Sequence, residues 1–133
     1  FWDQDAVLIS LDARSSHASA NGRGANRFKD YLHLNITPSK SRRDTPDIYQ
    51  EERLPEGTRI VTSKSVQGFD MELAIPISYI HSMGGENWKN IRLNVCYFDV
   101  DENSSRTGIW WYPEWSSKDN FIGSGMLFKT LSD

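Results

Sequence analysis

The chain has 133 residues, a formal net charge of -3 at pH 7 and 25% charged residues, which suits one domain, residues 1-133, with a core of its own. That charge excludes a nucleic-acid binder, whose phosphate contacts need a concentrated positive face, and no apolar run approaches the ~20 residues of a membrane span. A single cysteine, Cys96, excludes an internal disulfide, and in a strand it reads as a small buried apolar residue. The chain begins at Phe1 with no initiator Met and no charged-then-apolar leader, so a processed piece of a longer protein is expected. Its compositional oddity is the aromatic content, with five Trp, five Tyr and six Phe. Flat side chains in that number feed either a core or a binding surface.

In chain order, Asp5 to Asp12 predicts a strand with Val7, Ile9 and Leu11 on one face. Residues 13-27 are small, polar and Gly-containing, and read as a long loop; His17 within it has no partner at metal-ligand spacing. A second strand ends at Thr37, with Leu32, Leu34 and Ile36 toward the core and Tyr31, His33 and Asn35 on the other face. The basic knot Lys40, Arg42 and Arg43 runs into Asp44, Asp47, Glu51 and Glu52 and reads as a solvated loop. Residues 47-55 show no strand pattern. Residues 58-76 predict a hairpin, its second strand entered through Val66-Gln67-Gly68 and closed by Pro76. Its second half, where Phe69, Met71, Leu73 and Ile75 alternate with polar residues, is expected to anchor the fold together with a strand over 91-101. Between them Ile77 to Met83 predicts a short helix stopped by Gly84-Gly85. Residues 103-120 read as a loop holding Arg106, Trp110, Trp111, Tyr112 and Trp115, and a closing strand falls within 121-131. The sum is an all-β protein, an antiparallel β-sandwich with one short helix.

Trp2, the strand Asp5 to Asp12, Gly68 with Glu72-Leu73-Ala74-Ile75-Pro76, Asp99-Val100-Asp101 and the stretch from Ile122 to Phe128 follow one another in a set order. This pattern resembles the family 9 carbohydrate-binding modules, the sugar-binding relatives of the DOMON-like, jelly-roll-like sandwiches. The resemblance implies a module of an extracellular or periplasmic glycan-degrading protein, with an oligosaccharide or polysaccharide as partner, and a monomer or one domain of a multidomain chain. It implies two Trp stacking on either side of a sugar. Trp2 takes the first place, and Trp110, Trp111 and Trp115 compete for the second. Hydrogen bonds to sugar hydroxyls fall to His33 or Asn35, to Asn94 or Cys96, and to Arg106. Leu8 stands where the family has a sugar-contacting Glu, and Leu cannot accept a hydrogen bond. The family also carries about fifty further N-terminal residues forming strands, as the resemblance implies.

A sugar ring offers C-H groups on its faces and hydroxyls at its rim, so its recognition wants aromatic walls with a few placed polar groups. The acidic run Asp99, Asp101, Glu102 and Asn103 admits two readings, a structural Ca2+ held by Asp99 and Asp101 as in the resembled family, or a solvated turn. An EF-hand is excluded, because Ser104 replaces the turn glycine and Trp110 the bidentate Glu. Two alternatives stand beside the binding module. One is a glycoside hydrolase drawing its carboxylate pair from Asp70, Glu72, Asp99, Asp101 and Glu114, although no catalytic motif fixes such a pair. The other is a haem-binding DOMON-like domain with His33 and Met126 as axial ligands.

Overall fold

A computed structural model describes residues 4-14, 31-38, 45-103, 105-112 and 125-130 of the chain. Among the described residues eight strands and one α-helix follow in the order β1 (Ala6–Asp12), β2 (Leu32–Thr37), β3 (Asp47–Tyr49), a 3-10 turn (Glu51–Arg53), β4 (Arg59–Ser65), β5 (Gly68–Ala74), α1 (Ile77–Gly84), β6 (Asn90–Val100), β7 (Arg106–Trp110) and β8 (Met126–Phe128). The larger sheet runs β3-β2-β1-β6-β7, with β8 also paired to β6, and β4-β5 form a separate hairpin. Every pairing is antiparallel. The fold is all-β and sandwich-like with one short helix, as the alternation predicted.

Alternation in β1 and β2 divides the large sheet into two faces, because successive side chains of a strand point to opposite sides. The core face carries Ile9, Leu11, Leu32, Leu34 and Ile36, packed against Ile80 of α1, with Ile60, Met71, Leu73 and Ile75 from the hairpin segment around them. Leu34 has no exposed surface.

Of the two strands expected to anchor the fold, the one over 91-101 does so as β6, paired with β1, β7 and β8, and the other does not. The predicted anchor over Gly68 to Pro76 forms a peripheral strand with exposed and half-buried residues in alternation, whereas β1 is flanked on both sides, by β2 and β6. Strict alternation marks a strand with one wet face, and β5 has one. β1 is buried on both faces, which its sequence conceals because the second face is polar.

Two further elements depart from the reading above. Residues 47-49 form β3, held by three residues of register on β2, too short a run to show a period. Residues 106-110 form β7 rather than loop, since the turn after Val100 closes with Asp101 N–H donating to the Ser105 carbonyl and folds the segment back along β6. The helix stop is as expected, with Gly85 at φ 79° donating its N–H to the His81 carbonyl.

Gly125 is the second glycine that backbone geometry requires. Its φ is +63°, its carbonyl accepts from Leu93 N–H, and an added Cβ would collide with the Leu93 carbonyl oxygen. Gly125→Ala is therefore expected to detach β8 from β6. The check is amide exchange at Leu93, Leu127 and Lys129, which should accelerate by at least ~100-fold if local opening becomes about 3 kcal/mol easier; unchanged exchange would contradict the geometry.

Candidate functional site on the second sheet face

Register places a row of side chains directly across the second face. Tyr49, Asn35, Leu8, Cys96 and Trp110 lie opposite one another on β3, β2, β1, β6 and β7. The neighbouring row is His33, Ser10 and Asn94, and the next is Asp12, Arg92 and Met126. His33, Asn35, Asn94 and Cys96, singled out from the sequence, thus share one face, with Leu8 between Asn35 and Cys96.

This face is polar yet buried. Ser10, Asp12, Asn35, Thr37, Arg92 and Asn94 are all buried, and a buried polar group needs a partner or costs about 1–3 kcal/mol. Most have one. Asp12 accepts from the Arg14 backbone N–H at 3.1 Å and from Arg14 Nε at 2.9 Å through Oδ1, and from Arg14 and Arg92 guanidinium nitrogens at 2.8 and 3.1 Å through Oδ2. Burial pushes the Arg92 guanidinium down from its usual pKa, and the facing Asp12 carboxylate opposes that shift. Ser10 Oγ and His33 Nδ1 are 2.9 Å apart and share a hydrogen bond.

Asn94 turns both ends of its amide to Tyr112, just after β7. Its Nδ2 donates to the Tyr112 carbonyl at 2.9 Å, and its Oδ1 accepts from the Tyr112 and Val95 N–H groups. Asn94 therefore fixes where the chain goes after Trp110, which is a positioning role. Asn35 is the contrast: it is 3% exposed, and neither its Nδ2 nor its Oδ1 has a hydrogen-bond partner. The thiol of Cys96 is pushed up to about 11, first by burial, which makes it a poor nucleophile near neutral pH.

At the β6-β7 margin the same face turns aromatic. The Arg106 guanidinium lies 3.6 Å from the centroid of the Phe98 ring, and Trp110 meets that ring edge-on at 6.3 Å and 84°. Gly108 makes room for this, since a Cβ there would sit 3.1 Å from the Phe98 ring. Trp111, one residue on, is 51% exposed and packs edge-on against Tyr112. Strand alternation carries Trp111 to the core-face side, so of the two adjacent indoles only Trp110 belongs to the polar face. Trp2 and Trp115 lie outside the described residues, as do His17 and Glu114.

Asp99 and Asp101 are both exposed at the far end of β6. Tyr97 is pushed up to about 12, first by burial and then by Asp5 and Asp99, and its hydroxyl donates to Asp5 Oδ2 at 3.2 Å. Asp5 Oδ1 meanwhile accepts from Val100 N–H, and Asn103 Oδ1 accepts from Ser105 N–H. Among the described residues no three His, Cys, Asp or Glu side chains converge to hold an ion, and both oxygens of Asp5 accept from protein donors. A raised Tyr97 pKa means that the folded state keeps this proton longer than the unfolded chain, whose value is near 10.0. The corresponding stability is present below pH 10 and is lost as pH rises through about 12. Urea unfolding between these limits should show wild type losing more stability than Tyr97→Phe; equal losses would contradict the assignment.

Comparison with protein-family models, with curated proteins and with solved structures returns no match to this chain. The second face therefore carries the functional argument by its chemistry alone. No helix among the described residues is long and apolar enough to cross a membrane.

Proposed function

We propose that this chain is a noncatalytic carbohydrate-binding module, an accessory to a glycan-degrading protein outside the cytoplasm, and that its ligand site is the second face of the six-stranded sheet. The observation that carries the reading is the Asn35 amide, buried with both polar atoms unpartnered on a face that also presents His33 and Trp110. An amide offers two donors and two acceptor lone pairs, which matches a rim of hydroxyls that both donate and accept. Trp110 supplies the flat apolar wall, and Arg106, already laid against Phe98, supplies donors beside it.

Hydrogen bonding to hydroxyls passes from Asn94, whose amide is engaged with Tyr112 and Val95, to Asn35. Trp2 is the proposed second stacking wall, from the family resemblance. A structural Ca2+ at Asp99 and Asp101 belongs to the same resemblance, and no step of recognition depends on it.

The test is tryptophan fluorescence of the protein titrated with mono- and oligosaccharides from plant and algal polymers, with and without calcium. A saturable shift with one sugar class supports the reading, provided Trp110→Ala weakens it by at least ~2 kcal/mol, roughly thirtyfold, and Trp111→Ala does not. A flat response from folded protein across the panel overturns it. Release of reducing ends by the protein would favour the hydrolase instead. The haem alternative fits poorly, because His33 and Met126 lie on strands separated by β1 and β6, and His33 Nδ1 is engaged with Ser10.

A further inference from the structure

β7 ends the path of the large sheet, and among the described residues no strand pairs with its outer edge. The hydrogen-bond phase of the β6-β7 ladder shows which groups face outward. Asp101 N–H donates to Ser105 O, and Trp111 N–H donates to Val95 O. Together with the register Tyr97↔Ile109 and Asp99↔Thr107, these bonds assign the odd-numbered residues of β7 to β6. Arg106, Gly108 and Trp110 therefore point their N–H and C=O groups away from the sheet. Thr107, Gly108 and Ile109 are exposed. Natural edges are blunted by charge, proline or a bulge; here the middle of the strand is Thr-Gly-Ile, with none of these.

The core face beside this edge is apolar and open. Ile109 is 62% exposed and Trp111 51%, next to a half-buried Tyr97. The hairpin and α1 pack over Ile9, Leu11, Leu34 and Ile36, and leave Ile109 and Trp111 in solvent.

We propose that β7 is a homodimer edge, on which a second copy of this chain adds its own β7 antiparallel about a two-fold axis at Gly108. Only one register makes every outward group meet an outward group around that axis. Gly108 faces its own counterpart, and Arg106 faces Trp110 of the second copy in both directions. The pairing is self-complementary in side chains as well. On the second face each guanidinium meets the other copy's indole, a cation–π contact, and the paired glycines bring no side chain between them. On the core face Thr107 stands opposite Ile109 of the second copy, and the two exposed Ile109 side chains become diagonal neighbours across the axis, each beside Trp111 of its own strand. A two-fold contact closes on itself, so the unprotected edge yields a dimer and not a filament. One short ladder with a small apolar patch falls in the weak class of interfaces, below ~1,200 Å².

The pairing uses Arg106 and Trp110, which the proposed sugar site also uses, so its test varies only Thr107 and Ile109, which lie on the opposite face. Sedimentation of wild-type protein should show mass rising toward twice the monomer with concentration, and Ile109→Lys, which places charge at the core-face contact, should abolish the rise without changing the far-UV spectrum. Register is tested by cysteines. In the proposed pairing Thr107 and Ile109 of the second copy form a non-hydrogen-bonded pair with Cα atoms about 4.5 Å apart, within disulfide reach. Like residues lie roughly 8 Å apart, beyond that reach. The double variant Thr107→Cys/Ile109→Cys should therefore cross-link to a covalent dimer on oxidation, and neither single variant should. Monomeric wild type at every concentration, or single variants cross-linking as readily as the double, would overturn the proposal.

Discussion

Replacing Asp12 by Ala should destabilise the fold by about 3–5 kcal/mol, the cost of removing one member of a buried ion pair. Arg92 is only 1% exposed and meets Asp12 in register across β1 and β6. Without that carboxylate its guanidinium remains buried with its principal opposing charge gone, and the Arg14 backbone N–H loses its acceptor as well. Typical domains hold only ~5–15 kcal/mol in total, so the variant is expected to be marginal. Urea unfolding measures this as a lowered midpoint with unchanged slope. The double variant Asp12→Ala/Arg92→Met distinguishes the cause. If an unpaired charge is the penalty, removing it recovers much of the loss; if the double variant is as unstable as the single, the cost lies elsewhere.

The second expected result has the opposite sign. Asn35→Val should raise stability by about 1–3 kcal/mol, because it removes a buried amide that no protein group satisfies and substitutes a side chain favoured in strands. The same change should abolish sugar binding. A residue that weakens the fold and yet sits on a face with His33 and Trp110 is the signature of a site held for a ligand. Thermal unfolding with and without ligand separates the two effects. If Asn35→Val lowers stability instead, the amide has protein partners and the site argument loses its basis.

Much of the architecture was legible because alternation is a local signal. Val7, Ile9 and Leu11, the hairpin within 58-76, the helix after Pro76 and the Gly85 stop all stand where the sequence put them. The errors fall where local signals are weak or mislead. β3 is three residues long, and β7 carries Arg, Thr, Gly, Ile and Trp in an order with no period. Of the two strands expected to anchor the fold, β6 does, pairing with β1, β7 and β8, whereas β5 lies in the separate hairpin and β1 takes its place, because a strand buried on both faces by polar as well as apolar residues does not look buried.

For the site, sequence spacing already put His33 and Asn35 on one face, but could not choose between them. That choice depends on which amide or ring finds a partner, and the partners come from other strands: Ser10 for His33, none for Asn35. The same holds for Asn94, whose bonds to Tyr112 span 18 residues. Choosing Trp110 over Trp111 required only the strand's phase, which was invisible while the segment read as loop.

The most direct measurement is a heteronuclear spectrum of the protein titrated with the sugar class that quenches its fluorescence, following the Asn35 side-chain amide and the Trp110 indole N–H. Binding on the second face predicts that both resonances move together and saturate at one affinity, while the Trp111 indole stays in place. Saturable shifts confined to Trp111 and Ile109, with Asn35 unmoved, would put the ligand on the opposite face and contradict the account.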